Sequence, residues 1–260
     1  MEPESNALYA DPSLYDILHA SGTATDIDAL EHIEACFCAG SKQTWLEPAC
    51  GSGRYLRLAA RRGKHVAGFD LESSMIQYAK ERAIKAETTD RQNLFVADMR
   101  SFAAHLKPSS VGLAFNLINT IRHLENDKDV LTHFEEISAC LDDCGVYAVG
   151  ISLTAYGLEM PSEDVWTGKR GTCEVCQVIN YTPPTDAKDR SEQIYSHLTV
   201  TRPTGVQHVP SSYSLRTYNE QQWRDIVDQS ALRIIGIVDM SAEPTEPEEP
   251  GYAIWVLAPR

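Results

Sequence analysis

The chain alternates short apolar runs with helical patterns between residues 44 and 152, and this alternation constrains the fold more than any other feature. The apolar runs, which are typical of strands, are at 44–48, 66–69, 94–97, 111–118 and 146–152. Three helical patterns separate them. The first ends at about residue 62, the second covers 74–86 and the third covers about 127–141. Strands and helices that alternate at this spacing predict parallel β-α-β units, in a sheet covered by helices on both faces.

The segments on either side of this region have different patterns. Residues 25–38 have the apolar spacing of an amphipathic helix. Strand-like segments without intervening helices follow at 172–181, 192–200 and 206–217, and they predict an antiparallel element. A helix at 219–230 and two strands at 232–239 and 252–257 complete the pattern. The direct connection between the last two strands predicts that they are antiparallel.

The turn between the first strand and the first of these helices reads Glu-Pro-Ala-Cys-Gly-Ser-Gly, over residues 47–53. Glycines at this position allow the backbone to approach a ligand closely, because a Cβ atom would block that approach. A dinucleotide site requires a third glycine, and Leu56 occupies that position. A Gly-Lys-Ser or Gly-Lys-Thr triphosphate loop is absent as well. The turn therefore predicts a ligand other than a dinucleotide or a nucleoside triphosphate.

Carboxylates follow the first three strands at Glu47, Asp70 and Asp98. In an open parallel sheet, ligands bind beyond the carboxyl ends of the strands. Asp70 is placed to accept hydrogen bonds from two ribose hydroxyls, and Asp98 from the amino group of adenine. Glu47 is suited to the ammonium group of a methionine. Either aspartate could instead cap the helix or turn that follows it. Together, the three predict an adenosine ligand that carries an amine and no phosphate.

These motifs resemble those of class I S-adenosylmethionine-dependent methyltransferases over about residues 44–152. The first motif is similar to residues 47–54, the second to 68–76 and the third to 97–99. Residues 116–120 resemble the end of the fourth strand, and Tyr15 resembles a tyrosine that covers the cofactor in small-molecule members. The resemblance implies that S-adenosyl-L-methionine is bound by Tyr15, Glu47, Ala49, Gly51, Gly53, Arg54, Asp70, Leu71, Met75, Asp98, Met99, Asn116 and Leu117.

The resemblance also implies an α/β, Rossmann-like fold. We expect a seven-stranded sheet, mostly parallel with an antiparallel last strand, with helices on both faces and a small antiparallel β extension. The chain would then be one domain over residues 1–260. Residues 1–40 would form an N-terminal helical cap, and an antiparallel insertion at about 160–217 would lie over the active site.

The expected activity is transfer of a methyl group to O or N of a small-molecule acceptor by in-line displacement. Such a reaction mainly needs alignment of the reacting atoms and exclusion of water, so dedicated catalytic residues are few. His123 is the best-placed base or acceptor-orienting group, or else a surface histidine. Tyr156, Trp166 and Arg170 could line the acceptor pocket or simply anchor the insertion. The alternative function is a non-catalytic protein that binds S-adenosylmethionine or acts as a scaffold with this fold.

Composition bounds the possible partners. The formal charge of −14 disfavours nucleic acid. Arg54, Arg57, Arg61, Arg62 and Lys64 cluster in the sequence, and we expect them to form the solvated face of one helix.

No apolar run is long enough to cross a bilayer, and residues 1–4 lack the features of a signal peptide. We therefore expect a cytoplasmic protein. The seven cysteines have irregular spacing, which predicts free thiols and no metal site. The oligomeric state is not predicted.

Overall fold

A computed structural model describes residues 11–260. Its larger sheet has seven strands: β1 (Thr44–Pro48), β2 (His65–Asp70), β3 (Gln92–Val96), β4 (Val111–Asn116), β5 (Leu141–Leu153), β10 (Leu232–Val238) and β11 (Gly251–Pro259). Their order is β10-β11-β5-β4-β1-β2-β3. β1 to β5 pair in parallel, whereas β11 is antiparallel to both of its neighbours. The predicted mostly parallel sheet with an antiparallel last strand is confirmed.

Six helices accompany the sheets in the described part of the chain. They are α1 (Pro12–Leu18), α2 (Thr23–Phe37), α3 (Arg54–Arg61), α4 (Ser73–Lys85), α5 (Asp127–Cys140) and α6 (Glu220–Asp228). α1 lies within the helical cap expected over 1–40 but was not predicted as a separate helix, because its seven residues are too few for an apolar period. Asp11 caps it by accepting a hydrogen bond from the Ser13 N–H, and Pro12 occupies the first turn, where its missing N–H costs nothing.

The larger sheet is buried on both faces. Successive residues of β1 point to opposite sides, so Trp45 and Leu46 belong to different apolar clusters. The cluster around Trp45 includes residues of α2, α3 and α4, and the cluster around Leu46 includes residues of α5 and α6. Both side chains are fully buried. Packing on two faces explains why the strands read as continuous apolar runs.

A separate antiparallel sheet contains β6 (Ser162–Arg170), β7 (Cys173–Thr182), β8 (Ser191–Arg202) and β9 (Gly205–Arg216), in that order. The sequence predicted only three of these strands. β6 was missed because most of its side chains are exposed, so that it lacks the apolar alternation of a half-buried strand. It nevertheless pairs with β7 along its whole length, so the backbone pairing holds the strand where side-chain burial does not.

α1 packs on β6 and β7 of this second sheet. Leu14, Ile17 and Leu18 form an apolar cluster with Val175 and residues of β8. Contact with β6 is close at Gly168, where a Cβ atom would lie 2.4 Å from the Ile17 carbonyl oxygen. The helix therefore lies between the small sheet and α4, whose Tyr78 hydroxyl donates to Asp16 at 3.0 Å.

Two further expectations from composition concern the cysteines and membrane-spanning segments. All seven cysteines are free, and three of them are buried. Within residues 11–260, no helix has both the length and the apolar character needed to span a bilayer.

Candidate functional site

A cavity of about 330 Å3 opens at the carboxyl ends of β1, β2 and β3. This is the edge at which the strand order reverses between β1 and β4, where ligands bind in open α/β sheets. Eight of the residues predicted from the sequence line it: Tyr15, Ala49, Gly51, Asp70, Leu71, Asp98, Met99 and His123. Three strand ends and the N-terminal helix therefore contribute to one site.

The glycine turn has left-handed backbone conformations where it borders this cavity. Gly51 has φ +52° and Gly53 has φ +66°. A Cβ atom on Gly51 would lie 3.1 Å from the ring of Tyr15. The residue in the third glycine position, Leu56, packs against Gly68 of β2, where a Cβ atom would lie 2.2 Å from Leu56 Cδ1. The close helix–strand packing thus depends on a glycine in the strand and not in the helix.

Asp70 joins the end of β2 to the glycine turn. Its Oδ2 accepts a hydrogen bond of 2.8 Å from the Gly51 N–H, and its Oδ1 accepts one of 2.9 Å from the Glu72 N–H. Burial raises the pKa of this carboxyl. Each oxygen keeps a further lone pair. Asp70 can therefore fix the turn and still accept hydrogen bonds from ligand hydroxyls.

Asp98 is held by Arg100, a residue that the sequence analysis did not single out. Arg100 donates to both of its oxygens, through Nε at 2.9 Å and through a terminal nitrogen at 2.6 Å. These hydrogen bonds hold the pKa of Asp98 below its usual range. Arg100 also lies 3.6 Å from Asp129, and both residues line the cavity. A ligand amino group would share the Asp98 carboxylate with Arg100.

Glu47 is a buried carboxylate beside the cavity. Only 7% of its surface is exposed, and its Oε2 has no hydrogen-bond partner among the described residues. Burial raises its pKa well above the usual value. An unpaired buried oxygen is costly, so the site is suited to a ligand group that donates hydrogen bonds or carries positive charge.

The remaining predicted cofactor residues lie behind the cavity wall. Met75 and Leu117 are buried apolar side chains. Arg54 is buried and donates to Thr23 Oγ1 at 2.8 Å. Asn116 donates to the Pro48 carbonyl at 2.7 Å, which ties the end of β4 to the glycine turn. Gly53, Met75, Asn116 and Leu117 therefore lie outside the lining of this cavity, and Arg54 lines a second cavity instead.

His123 lines the cavity from the turn that follows β4. Its ring stacks on Tyr213 of β9, with 5.8 Å between centroids. The side chain is accessible to solvent from the cavity that it lines. Desolvation by the surrounding cavity walls lowers the pKa of its imidazole to about 4. It is therefore a neutral imidazole near pH 7, able to accept or donate a hydrogen bond.

The three predicted acceptor-pocket residues are not brought to this cavity. The Tyr156 hydroxyl bonds to Thr217 at 3.0 Å and to Gln222 at 2.9 Å. Trp166 packs its ring against His19, with 5.2 Å between centroids. Arg170 makes an ion pair of 2.8 Å with Asp16. These contacts anchor the insertion, which was the other reading that the sequence allowed.

The other half of the cavity's lining was not among the predicted cofactor or catalytic residues. These residues are Phe69, Glu72, Ala97, Arg100, Thr120, Leu124, Glu125 and Asp129. Phe69 and Ala97 directly precede Asp70 and Asp98, and Glu72 and Arg100 lie two residues after them. Their position at the strand ends could have predicted these four. Asp129 lies in the first turn of α5, and only the folded chain brings it to this cavity.

Behind the cavity, buried His133 predicts acid sensitivity of folding. Its Nδ1 lies 2.9 Å from the Met99 carbonyl and its Nε2 lies 2.8 Å from the Tyr147 hydroxyl. Burial lowers its pKa to about 4 from an ordinary value near 6.5. The unfolded chain therefore binds a proton that the folded chain excludes, and stability is full above about pH 6.5 and falls toward pH 4. Urea titrations should show this fall, and His133→Gln should make it shallower. An equal pH dependence in the variant would contradict the assignment.

Comparisons with known proteins bear on the family and the fold. Residues 46–145 match the family described as a methyltransferase domain. The resemblance read from the glycine turn and the strand ends is thereby confirmed. No curated protein shows significant sequence similarity to the chain.

Several solved structures share the fold over nearly the whole chain. An S-adenosylmethionine-dependent methyltransferase from Clostridium acetobutylicum superposes with a TM-score of 0.76 at 16% identity, covering 97% of this chain and 99% of that one. The sugar N-methyltransferase KedS8 from Streptoalloteichus gives 0.75 at 14% identity, with 100% and 97% covered. CalS10, an amino pentose methyltransferase from Micromonospora echinaspora, gives 0.70 at 17% identity, with both chains fully covered. The class I methyltransferase fold is therefore confirmed.

Proposed function

We propose that this chain, whose residues 46–145 match a methyltransferase domain, is an S-adenosylmethionine-dependent methyltransferase that acts on O or N of a small molecule. The observation that carries the proposal is the cavity itself. It combines Gly51, where a side chain would crowd the Tyr15 ring, with carboxylates at two strand ends. The unpaired buried oxygen of Glu47 lies beside it, near Asp70.

The residues present fit the cofactor that this function requires. Asp70 would accept from the ribose hydroxyls and Asp98 from the adenine amino group. Glu47 would receive the ammonium of the methionine part, which supplies the partner that its Oε2 lacks in the protein. When bound, S-adenosylmethionine supplies a methyl group on a positively charged sulfur. The rest of the predicted set would support the loop that holds it.

The chain's own contribution to transfer is alignment and exclusion of water. Tyr15 covers the glycine turn, and burial raises the pKa of its hydroxyl to about 12, so it stays protonated at neutral pH. His123, neutral and facing the same cavity, would accept a hydrogen bond from an acceptor hydroxyl or amine and orient its lone pair. Its low pKa favours orientation over full proton removal.

The acceptor is proposed to be a small molecule with an amine, such as an aminosugar. Support comes from similarity in fold to a sugar N-methyltransferase and an amino pentose methyltransferase. The acidic surface charge makes nucleic acid a poor alternative. A cytoplasmic location and the division into one domain with a cap at 1–40 and an insertion over the active site remain predictions. Residues 1–10 of that cap lie outside the described residues.

Isothermal titration with S-adenosylmethionine and S-adenosylhomocysteine tests the cofactor directly. We expect both to bind, and binding of neither would refute the proposal. Turnover is then measured on amine- and hydroxyl-bearing acceptors. Binding without turnover on a broad panel would favour a non-catalytic cofactor-binding protein.

Asp70→Ala should weaken binding of S-adenosylhomocysteine by about 1–3 kcal/mol, since the ribose hydroxyls would lose charge-assisted partners. The measurement is titration calorimetry on folded protein. Asp143→Ala is the control, because it removes an exposed carboxylate on β5, outside the cavity lining. Unchanged affinity in Asp70→Ala would show that the ribose assignment is wrong.

A further inference from the structure

Five arginines surround a second cavity, of about 270 Å3. Arg54, Arg57 and Arg61 come from α3, Arg82 comes from α4 and Arg170 comes from β6. Within residues 11–260, no carboxylate lines this space. Such a concentration of positive charge is unexpected in a chain with a net charge of −14. The proposed methyl transfer gives it no role.

The expectation that these arginines form a solvated helix face is wrong for Arg54 and Arg57, whereas Arg61 is exposed. Arg54 is buried and 14% of the Arg57 side chain is exposed. The spacing of Arg54, Arg57 and Arg61 places them on one side of α3. Arg62 instead makes ion pairs of 2.6 Å with Asp28 and Glu31 on α2. Lys64 likewise pairs with Glu34 of α2.

Carboxylates balance only part of this positive charge. Arg57 and Arg170 share Asp16, at 2.9 Å and 2.8 Å. Arg54 lies 3.7 Å from Asp26.

The other two arginines are less well compensated. The buried Nε of Arg82 is 3.7 Å from Asp16, beyond hydrogen-bond distance, and has no hydrogen-bond partner among the described residues. Arg61 makes no ion pair within residues 11–260. Five guanidinium groups therefore meet two carboxylates, and the excess charge converges on the cavity.

We propose that this cavity binds the phosphate group of a small molecule. Guanidinium groups bind phosphate through paired, charge-assisted hydrogen bonds, and Arg is the side chain best suited to that geometry. A bound dianion would supply an acceptor for Arg61 and a counter-charge for Arg82, whose Nε has no hydrogen-bond partner among the described residues. It would also relieve repulsion among cations held in one concave space. The phosphate could be free or carried by an organic molecule, and the two sources can be separated by experiment.

Titration calorimetry at constant ionic strength tests this site with two probes, pyrophosphate and uridine diphosphate. Uridine is chosen because its base lacks the amino group expected to bind at Asp98. Binding of either probe by the wild-type chain is expected to weaken about tenfold or more in Arg61→Gln and in Arg82→Gln. Arg62→Gln is the matched control. It makes the same charge change one residue away, at a side chain paired with α2, and should bind within about twofold of wild type.

The outcomes are distinct. Tighter binding of uridine diphosphate than of pyrophosphate assigns the site to phosphate on an organic molecule, and equal affinity assigns it to the phosphate alone. The proposal is overturned if neither probe binds the wild-type chain. It is also overturned if Arg61→Gln and Arg62→Gln lose the same amount of probe affinity. Affinity for S-adenosylhomocysteine should be unchanged in Arg61→Gln. A failure here is therefore separable from a failure of the cofactor assignment.

Discussion

Replacing Gly51 by valine should abolish measurable binding of S-adenosylhomocysteine, a loss of at least about 100-fold, or roughly 3 kcal/mol. Gly51 has φ +52°, which a β-branched residue adopts only with strain. Its Cα also faces the cavity, and an added Cβ would lie 3.1 Å from the Tyr15 ring. A valine side chain would thus crowd the Tyr15 ring at the cavity that both residues line. Titration calorimetry measures the loss, with circular dichroism to show that the variant is folded.

Gly63→Val separates backbone strain from occupancy of the cavity. Gly63 also has a positive φ, +96°, but a Cβ atom there would meet nothing within 4 Å. Both variants should be less stable than wild type, whereas only Gly51→Val should lose the ligand. Ligand affinity within tenfold of wild type in Gly51→Val would show that the turn does not border the cofactor.

The cofactor end of the site could be predicted because its signals are local. A glycine turn after a buried strand, and a carboxylate at each of the next two strand ends, fix positions that the parallel sheet then brings together. Asp70 and Gly51 are 19 residues apart, yet they form a hydrogen bond of 2.8 Å. The regular β-α-β units make that distance predictable, because they align the carboxyl ends of neighbouring strands.

The parts that were missed depend on contacts distant in sequence. β6 is recognisable only by its pairing with β7, and α1 is stabilised by packing on the small sheet. Arg57 and Arg170 are 113 positions apart in the numbering, and only the fold brings both to Asp16. A helical pattern rich in arginine predicts a solvated face by default. It cannot show that a buried aspartate on another helix draws some of these side chains inward.

Asp16→Ala should lower the free energy of unfolding by about 3–5 kcal/mol, the usual effect of removing one partner from a buried ion pair. Asp16 is 1% exposed and accepts hydrogen bonds from Ser52 Oγ at 3.0 Å and from the Tyr78 hydroxyl at 3.0 Å. Burial opposes its ionisation, but Arg57 and Arg170 outweigh that cost and hold its pKa below the usual range. Its loss would leave both cations without their carboxylate. Urea titration measures the change.

The matched control for Asp16 is Arg202→Ala. Arg202 pairs with Asp11 at 3.6 Å, also between α1 and the small sheet, but both side chains are well exposed. Exposed pairs contribute about 0–1 kcal/mol, so this variant should be nearly as stable as wild type. If Asp16→Ala lowered the free energy of unfolding as little as Arg202→Ala, α1 would be held by its apolar face alone. A large loss confined to Asp16→Ala would show that one buried carboxylate fixes α1 to the glycine turn through Ser52, to α3 through Arg57 and to β6 through Arg170. The position of Tyr15 over Gly51 would then depend on a charge outside the cavity.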